Sequence, residues 1–318
     1  MIIVTGGAGF IGSNIVKNLN KAGTKDITIV DDLTDGYKMR NLSDLDFVDY
    51  YDVEEFILRV KNNCNFGNVE AVIHQGACSS TTEWNGKYVM KNNFTFSKMV
   101  YEFCLTNNSQ FIYASSASVY GMGKAGFSEQ RGSERPINMY AFSKFQFDQY
   151  MRSVVNKSPI QIVGLRYFNV YGPRESHKGT MASTIFHFNR QVKEDGIAKL
   201  FSGYDGYDDG CQERDFVYVK DCAQVNLWFL KNKDKSGIFN LGSGISRTFN
   251  DVAKCVIDWH GRGTVEYIDF PEHLMESYQS YTKSDNSNLL QAGYDKNFFT
   301  IEEGITDYLN WLNSPRDI

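Results

Sequence analysis

The chain opens with a short apolar run, Ile2-Ile3-Val4, and passes at once into Thr5-Gly6-Gly7-Ala8-Gly9-Phe10-Ile11-Gly12. Behind that turn, Ile11, Ile15, Val16 and Leu19 recur on one helical face. Strand, glycine turn and helix in this order leave few folds open. The glycines permit a tight turn and close approach of a pyrophosphate, whose charge meets the amino end of the helix. Gly7 to Gly12 fits G-x-G-x-x-G, and Gly6, Gly9 and Gly12 fit the related G-x-x-G-x-x-G spacing. The placement between a strand and a helix gives an otherwise weak motif its meaning.

Four further apolar runs repeat the pattern. Ile27 to Val30 ends at Asp31-Asp32, at the distance where an acid grips the adenosine ribose, although an Asp at a strand end also serves turns. Lys38 and Arg40 follow and suit a 2′-phosphate, so NAD and NADP both stay open. Val69 to Ile73 runs into His74-Gln75-Gly76-Ala77, where small residues leave room for a cofactor crossing the sheet edge and His74 reads as a structural hydrogen-bonding group. A helical stretch from Asn85 to Thr106 carries Asn92 and Asn93. Phe111 to Ala114 ends in Ser115-Ser116, hydroxyls placed to meet a substrate alcohol or carbonyl, and Ile160 to Leu165 is the fifth strand. Alternating strands and helices predict an α/β fold with a Rossmann-type doubly wound parallel sheet.

Between the last two strands stands Tyr140-Ala141-Phe142-Ser143-Lys144. Four residues apart on a helix, Tyr140 and Lys144 share a face about one turn apart. An ammonium there favours the phenolate and draws the Tyr pKa toward working pH, making it a general acid or base. The same spacing also occurs on many exposed helices, so it needs the glycine turn and Ser116 beside it to count.

After Gly172 the alternation breaks. Arg214 to Val219 reads as a strand leading to a helix over 221–230, and Phe239 to Gly242 as a further short strand. The expected division is a dinucleotide-binding part, 1–168 plus 214–245, and a smaller mixed α/β substrate-binding part, 169–213 plus 246–318. A formal charge of -5 without a basic run argues against nucleic acid. The six cysteines are scattered with no C-x-x-C pair, and no run of apolar residues is long enough to span a membrane, which together predict a cytoplasmic, reducing environment.

These residues in this order resemble the extended short-chain dehydrogenase/reductase family of nucleotide-sugar enzymes. The likeness rests on Thr5 to Gly12, Ser115-Ser116, Tyr140-x-x-x-Lys144, Tyr167 to Pro173 and Arg214 to Val219. Gly76 to Trp84, Pro173 to Gly179, Val225 to Leu230 and Ala292 to Asp295 are similar to the branch that acts on ADP-heptose in making a lipopolysaccharide precursor. The resemblance implies bound NADP that takes a hydride from C6 of the heptose and returns it to the other face. It implies catalytic roles for Ser116, Tyr140, Lys144 and Lys178, with Tyr140 and Lys178 as two acid/base groups. The same carry-over gives Gly6, Gly9, Phe10, Ile11, Gly12, Asp31, Asp32, Lys38, Gln75, Gly76, Ala77, Cys78, Ser79, Asn92, Lys144, Val170 and Lys178 to the cofactor. Asn169, Thr180, His187, Phe201, Ser202, Gly203, Tyr204, Arg214 and Tyr278 go to the sugar nucleotide, Arg214 also on its own merits as a diphosphate partner. Asp32 stands where the family tends to have Asn, and Val53 where relatives carry Lys, which keeps NAD as the alternative cofactor. Relatives assemble into rings, so a homo-oligomer is implied. The rivals are an enzyme epimerising a UDP-hexose at C4, another nucleotide-sugar epimerase or dehydratase, and a non-catalytic nucleotide sensor.

Overall fold

A computed structural model of the chain describes residues 1–272, 275 and 278–314. In chain order the first half forms β1 (Ile2–Thr5), α1 (Phe10–Lys21), β2 (Ile27–Asp31), β3 (Asp49–Asp52), α2 (Val53–Lys61), β4 (Ala71–His74), α3 (Gly86–Met90), α4 (Phe96–Asn107), β5 (Gln110–Ser116), α5 (Met139–Val154) and β6 (Ile162–Tyr167). The second half adds β7 (Asn169–Tyr171), α6 (Thr184–Asp195), β8 (Ile197–Phe201), β9 (Glu213–Tyr218), α7 (Val219–Lys231), β10 (Gly237–Leu241), β11 (Ser246–Thr248), α8 (Phe249–His260), β12 (Thr264–Ile268), α9 (Ser287–Gln291) and α10 (Ile301–Asn313).

Seven strands make one sheet in the order β10-β6-β5-β4-β1-β2-β3, each pair parallel. The inner strands read as unbroken apolar runs because both faces are covered. On one face α1 packs against α7 through Ile15, Val16, Leu19 and Ala223. On the other, α2, α4 and α5 contribute Phe56, Val100, Phe103, Phe147 and Met151. The chain builds outward from β1 to β3 and then returns to lay β4 on the other side of β1. That reversal opens a crevice above the carboxyl ends of β1 and β4, where ligands of such sheets bind.

The smaller part has a three-stranded sheet, β11-β9-β7, and a parallel pair, β12-β8. Helices α6, α8 and α10 cluster with it through Ile185, Val192, Val252, Val256, Ile305 and Leu309. The run from 214 is a strand, as expected, but β9 pairs with β7 and β11 rather than joining the large sheet, whereas β10 sits at that sheet's edge. Of the expected second part, 273, 274, 276, 277 and 315–318 lie outside the described residues.

Candidate active site

The cleft at the β1/β4 reversal has a volume of about 500 Å³. Its floor is backbone. Gly6 takes φ +67°, and its carbonyl accepts the Gly9 N–H at 3.0 Å. A Cβ on Gly12 would lie 2.1 Å from the Gly6 oxygen, and one on Gly6 would lie 2.7 Å from the Gly76 nitrogen. The turn after β1 and the end of β4 are therefore packed as closely as glycine allows, leaving a bare cradle at the amino end of α1. His74 is the structural group the sequence suggests. Its Nδ1 pairs with the Thr5 hydroxyl at 2.7 Å and its Nε2 with Ser97 at 2.8 Å. Burial, and then the nearby Lys144 charge, push its pKa down to about 3, so the ring is neutral.

Asp31 closes β2 with its carboxylate occupied. Oδ2 accepts the Ala8 N–H at 2.8 Å, and Oδ1 accepts the Asp32 N–H at 2.8 Å and the Lys38 ammonium at 3.0 Å. Lys38 also donates to the Asp32 carbonyl at 2.8 Å. The Asp32 carboxylate is engaged by Thr34, whose hydroxyl first and then N–H, at 2.8 Å, lower its pKa. Gln75 lines the cleft with its amide buried beside the Tyr167 phenol, which also lines it. Backbone cradle and strand-end acid fit a dinucleotide.

Asp32, Cys78 and Asn92 do not line the cleft, in contrast to the expectation for them. Asn92 donates to the Tyr88 carbonyl of its own helix at 2.9 Å. The neighbouring Asn93 is the amide that matters: it accepts the Cys78 N–H at 2.7 Å and donates to the Cys78 carbonyl and the Ser143 hydroxyl, both at 2.9 Å. The Asn92 assignment rests on the resemblance; here a π turn at Lys91–Thr95 joins α3 to α4 and it is Asn93 that is buried.

Helix α5 starts at Asn138, whose side chain caps the Ala141 N–H at 2.8 Å, and it presents Tyr140 and Lys144 to the cleft. Ser116 faces the same space from the end of β5. One turn beyond Lys144, Asp148 fastens the helix to the sheet. Its carboxylate accepts the Tyr113 phenol at 2.9 Å, the Ser115 hydroxyl at 2.8 Å and Arg166 Nε at 2.9 Å. The expected lowering of the Tyr140 pKa by Lys144 is not what this arrangement gives. Burial raises the phenol, and the hydrogen bond with Ser116 offsets that only in part. Lys144 instead donates to the Ala114 carbonyl at 2.8 Å, and burial lowers its own pKa to about 8.

Lys178 reaches the cleft from the segment after β7, its ammonium 5.3 Å from the centre of the Phe10 ring, with its pKa lowered by burial. That segment is bolted to the glycine turn. Arg174, at φ +75°, donates to the Asn41 carbonyl at 2.5 Å and doubly to Asp44 at 2.7 and 2.8 Å. The Asn41 amide donates in turn to the carbonyls of Ala8 at 2.9 Å and Arg174 at 3.1 Å.

None of the nine expected sugar-nucleotide residues lines this cleft. Asn169 directly follows Phe168, which does, and accepts from Thr282 at 3.2 Å. Thr180 is exposed in the turn beyond Lys178, and His187 lies on α6 against Phe186. Arg214, Phe201 and Tyr278 meet elsewhere. Arg214 stacks on Tyr278 at 4.7 Å, and Tyr278 packs edge-on to Phe201. Burial depresses the Arg214 pKa, with Tyr278 acting against it. Ser202 follows Phe201 and accepts at its carbonyl from Gln212, while Gly203 and Tyr204 border a separate surface pocket with Asp208 and Asp209. Sequence reasoning gave no role to Tyr167, Phe168, His177 and Met181, which line the cleft. The first two end β6 just as Ser115-Ser116 ends β5, a parallel that was available in the sequence.

A match to the NAD dependent epimerase/dehydratase family covers residues 2–242. The chain is 54% identical over 310 residues to the ADP-L-glycero-D-manno-heptose-6-epimerase of Alkalilimnicola ehrlichii, covering 98% of this chain and 97% of that one. In structure it is similar to the Helicobacter pylori ADP-L-glycero-D-manno-heptose-6-epimerase, with a TM-score of 0.84 at 30% identity over 99% of this chain and 96% of the other. The Thermus thermophilus UDP-glucose 4-epimerase in complex with NAD gives a TM-score of 0.79 at 27% identity, with 97% of each chain covered.

Proposed function

The chain belongs to the NAD dependent epimerase/dehydratase family, and on that premise we propose that it inverts C6 of the heptose in ADP-D-glycero-D-manno-heptose to give the L-glycero epimer, a lipopolysaccharide-core precursor. The observation that carries this reading is one cleft bordered by the glycine cradle, Ser116, Tyr140, Lys144 and Lys178. The C6–H is not acidic, so inversion needs a planar ketone stage, and the bound dinucleotide supplies the hydride chemistry. Tyr140 and Lys178, from different elements, give and take the hydroxyl proton. Ser116 hydrogen-bonds the reacting oxygen, Lys144 holds the nicotinamide ribose, and the buried Arg214 meets the diphosphate.

We read the cofactor as NADP. The Asp32 carboxylate is engaged by Thr34 instead of facing the cleft, and Lys38 stands beside Asp31 at the ribose end. Mass identification of the dinucleotide that copurifies with the protein separates this from NAD. Among the described residues no helix is long and apolar enough to cross a membrane. A cytoplasmic homo-oligomer completes the proposal, and sedimentation measures its size.

Supplying each C6 epimer of ADP-heptose and resolving the products tests the reaction. Tyr140→Phe and Lys178→Met are each expected to lower turnover by about 100-fold or more, the scale of a lost acid/base group, while dinucleotide stays bound. Turnover of UDP-galactose without heptose interconversion would overturn the substrate assignment.

A further inference from the structure

Lys178 lies in a segment, 172–183, whose only regular structure is a short turn over Ser176–Met181. A long side chain on such a segment has no long helix or strand to aim it, yet one residue ties its two ends to each other, beside the Arg174 and Asn41 contacts that hold its start. Glu175 is wholly buried, at 0% exposure. Its Oε1 accepts the Gly172 N–H at 3.3 Å and the Ser183 hydroxyl at 2.7 Å, and its Oε2 accepts the Ser183 N–H at 2.6 Å. Its own carbonyl accepts the Lys178 N–H at 2.9 Å. The side chain thus ties the entrance of the segment to its exit, and the main chain of the same residue starts the turn that ends at Lys178.

We propose that Glu175 is the positioning residue for Lys178, closing the 172–183 segment on itself and holding the ammonium at the cofactor cleft. The inference rests on the two-base reading above. Burying a carboxylate is costly unless donors surround it, and here three do. Its charge also favours the Lys178 ammonium, against the burial that lowers it. The other neighbours do not supply that charge. Phe10 of α1 offers only its ring, and burial, with Lys38 and Lys178, keeps the adjacent His177 neutral. A simple staple would need the hydrogen bonds alone; a positioning role needs the charge as well.

Three variants of the full holoprotein separate these. Glu175→Gln keeps size and loses charge, Glu175→Asp keeps charge and shortens the reach, and Ser183→Ala removes one partner hydroxyl and leaves the carboxylate. The pH dependence of Lys178 acylation by acetic anhydride, followed by peptide mass spectrometry, reads the lysine without relying on activity. Glu175→Gln is expected to move that dependence to lower pH, since the ammonium loses its counter-charge. It should also lower kcat by roughly 10- to 100-fold, the scale of a misplaced reacting group, with KM and bound dinucleotide little changed. Glu175→Asp should lower kcat without moving the acylation profile, and Ser183→Ala should leave the profile in place. A wild-type profile in Glu175→Gln, or wild-type kcat in Glu175→Asp, would overturn the proposal; the second outcome decides the matter even if the Gln variant does not fold. Lys178→Met run alongside keeps the premise separate. An active Lys178→Met variant removes the two-base reading, whereas an inactive one beside an unaffected Glu175→Gln removes only the role of Glu175.

Discussion

Lys144 shows how far one residue's chemistry departs from what its spacing suggests. The four-residue interval did place it with Tyr140 at the cleft, because helical geometry is a property of the local sequence. The charge state was not legible there, because it depends on burial, opposed by the Asp148 charge, and both are contributed by the fold. With a pKa depressed to about 8 from an ordinary 10.5, the buried amine is cationic below pH 8 and becomes neutral above it. A neutral amine grips a ribose hydroxyl less strongly than an ammonium does. Dinucleotide affinity of the nucleotide-free protein is therefore expected to fall as pH rises past about 8. Lys144→Met should bind weakly throughout and lose that pH dependence, as a fluorescence titration at several pH values would reveal. An affinity that stays flat through this range in the wild type would remove Lys144 from the grip. Arg214 makes the same point from the other side: its charge was legible, but its seat against Tyr278 was not, since that pair is 64 residues apart in sequence and joined by packing.

At the scale of elements, the five strands that the sequence reading places before residue 168 occupy the large sheet, because buried parallel strands announce themselves as short apolar runs. The strand β3 (Asp49–Asp52) escaped notice. It lies at the sheet's edge, and its sequence, Asp-Tyr-Tyr-Asp, carries no such run. The helix joining β4 to β5 was legible in extent but not in phase, since the π turn has no clear sequence signature. The two adjacent amides test that difference directly. Asn93→Ala removes the clamp on both polar groups of Cys78 and leaves them short of partners, at a cost of about 1–3 kcal/mol, together with looser dinucleotide retention. Asn92→Ala breaks one bond within an exposed turn and is expected to stay within about 0.5 kcal/mol of wild type. Denaturant melts of the two variants, with bound nucleotide counted after gel filtration, compare them; equal effects would mean that the phase shift has no functional weight.

At the scale of the whole molecule, a buried charge network joins elements of the large-sheet part that stand far apart in sequence. Arg166 on β6, with 0% exposure, binds Asp148 of α5 and Glu134 of the loop before it, and its guanidinium also donates to Tyr120 at 2.9 Å. Arg152 joins through Glu134 at 2.6 Å. Nothing in the sequence marks these residues as neighbours, since an Arg in an apolar strand pattern ordinarily signals an edge. The network need not add net stability, but removing one partner leaves a stranded charge. Arg166→Met is expected to cost about 3–5 kcal/mol in urea unfolding and to loosen α5, with turnover falling more than heptose binding. A loss below 1 kcal/mol would mean that water or a rotamer change relieves Asp148 and Glu134.

The path of the chain between its two parts has a consequence for how such proteins diversify. The polypeptide leaves the large sheet after β6, builds β7 through β9, returns to lay down α7 and β10, and leaves again through β11. The smaller part is therefore sewn into the large-sheet part by three threads rather than hung from one. A recombination event with a single breakpoint cannot exchange the smaller part alone, because any cut that carries all of it also carries α7 and β10 of the large sheet. New substrates must be acquired by altering side chains and loop lengths in place, under the constraint that β10 still finds its slot beside β6.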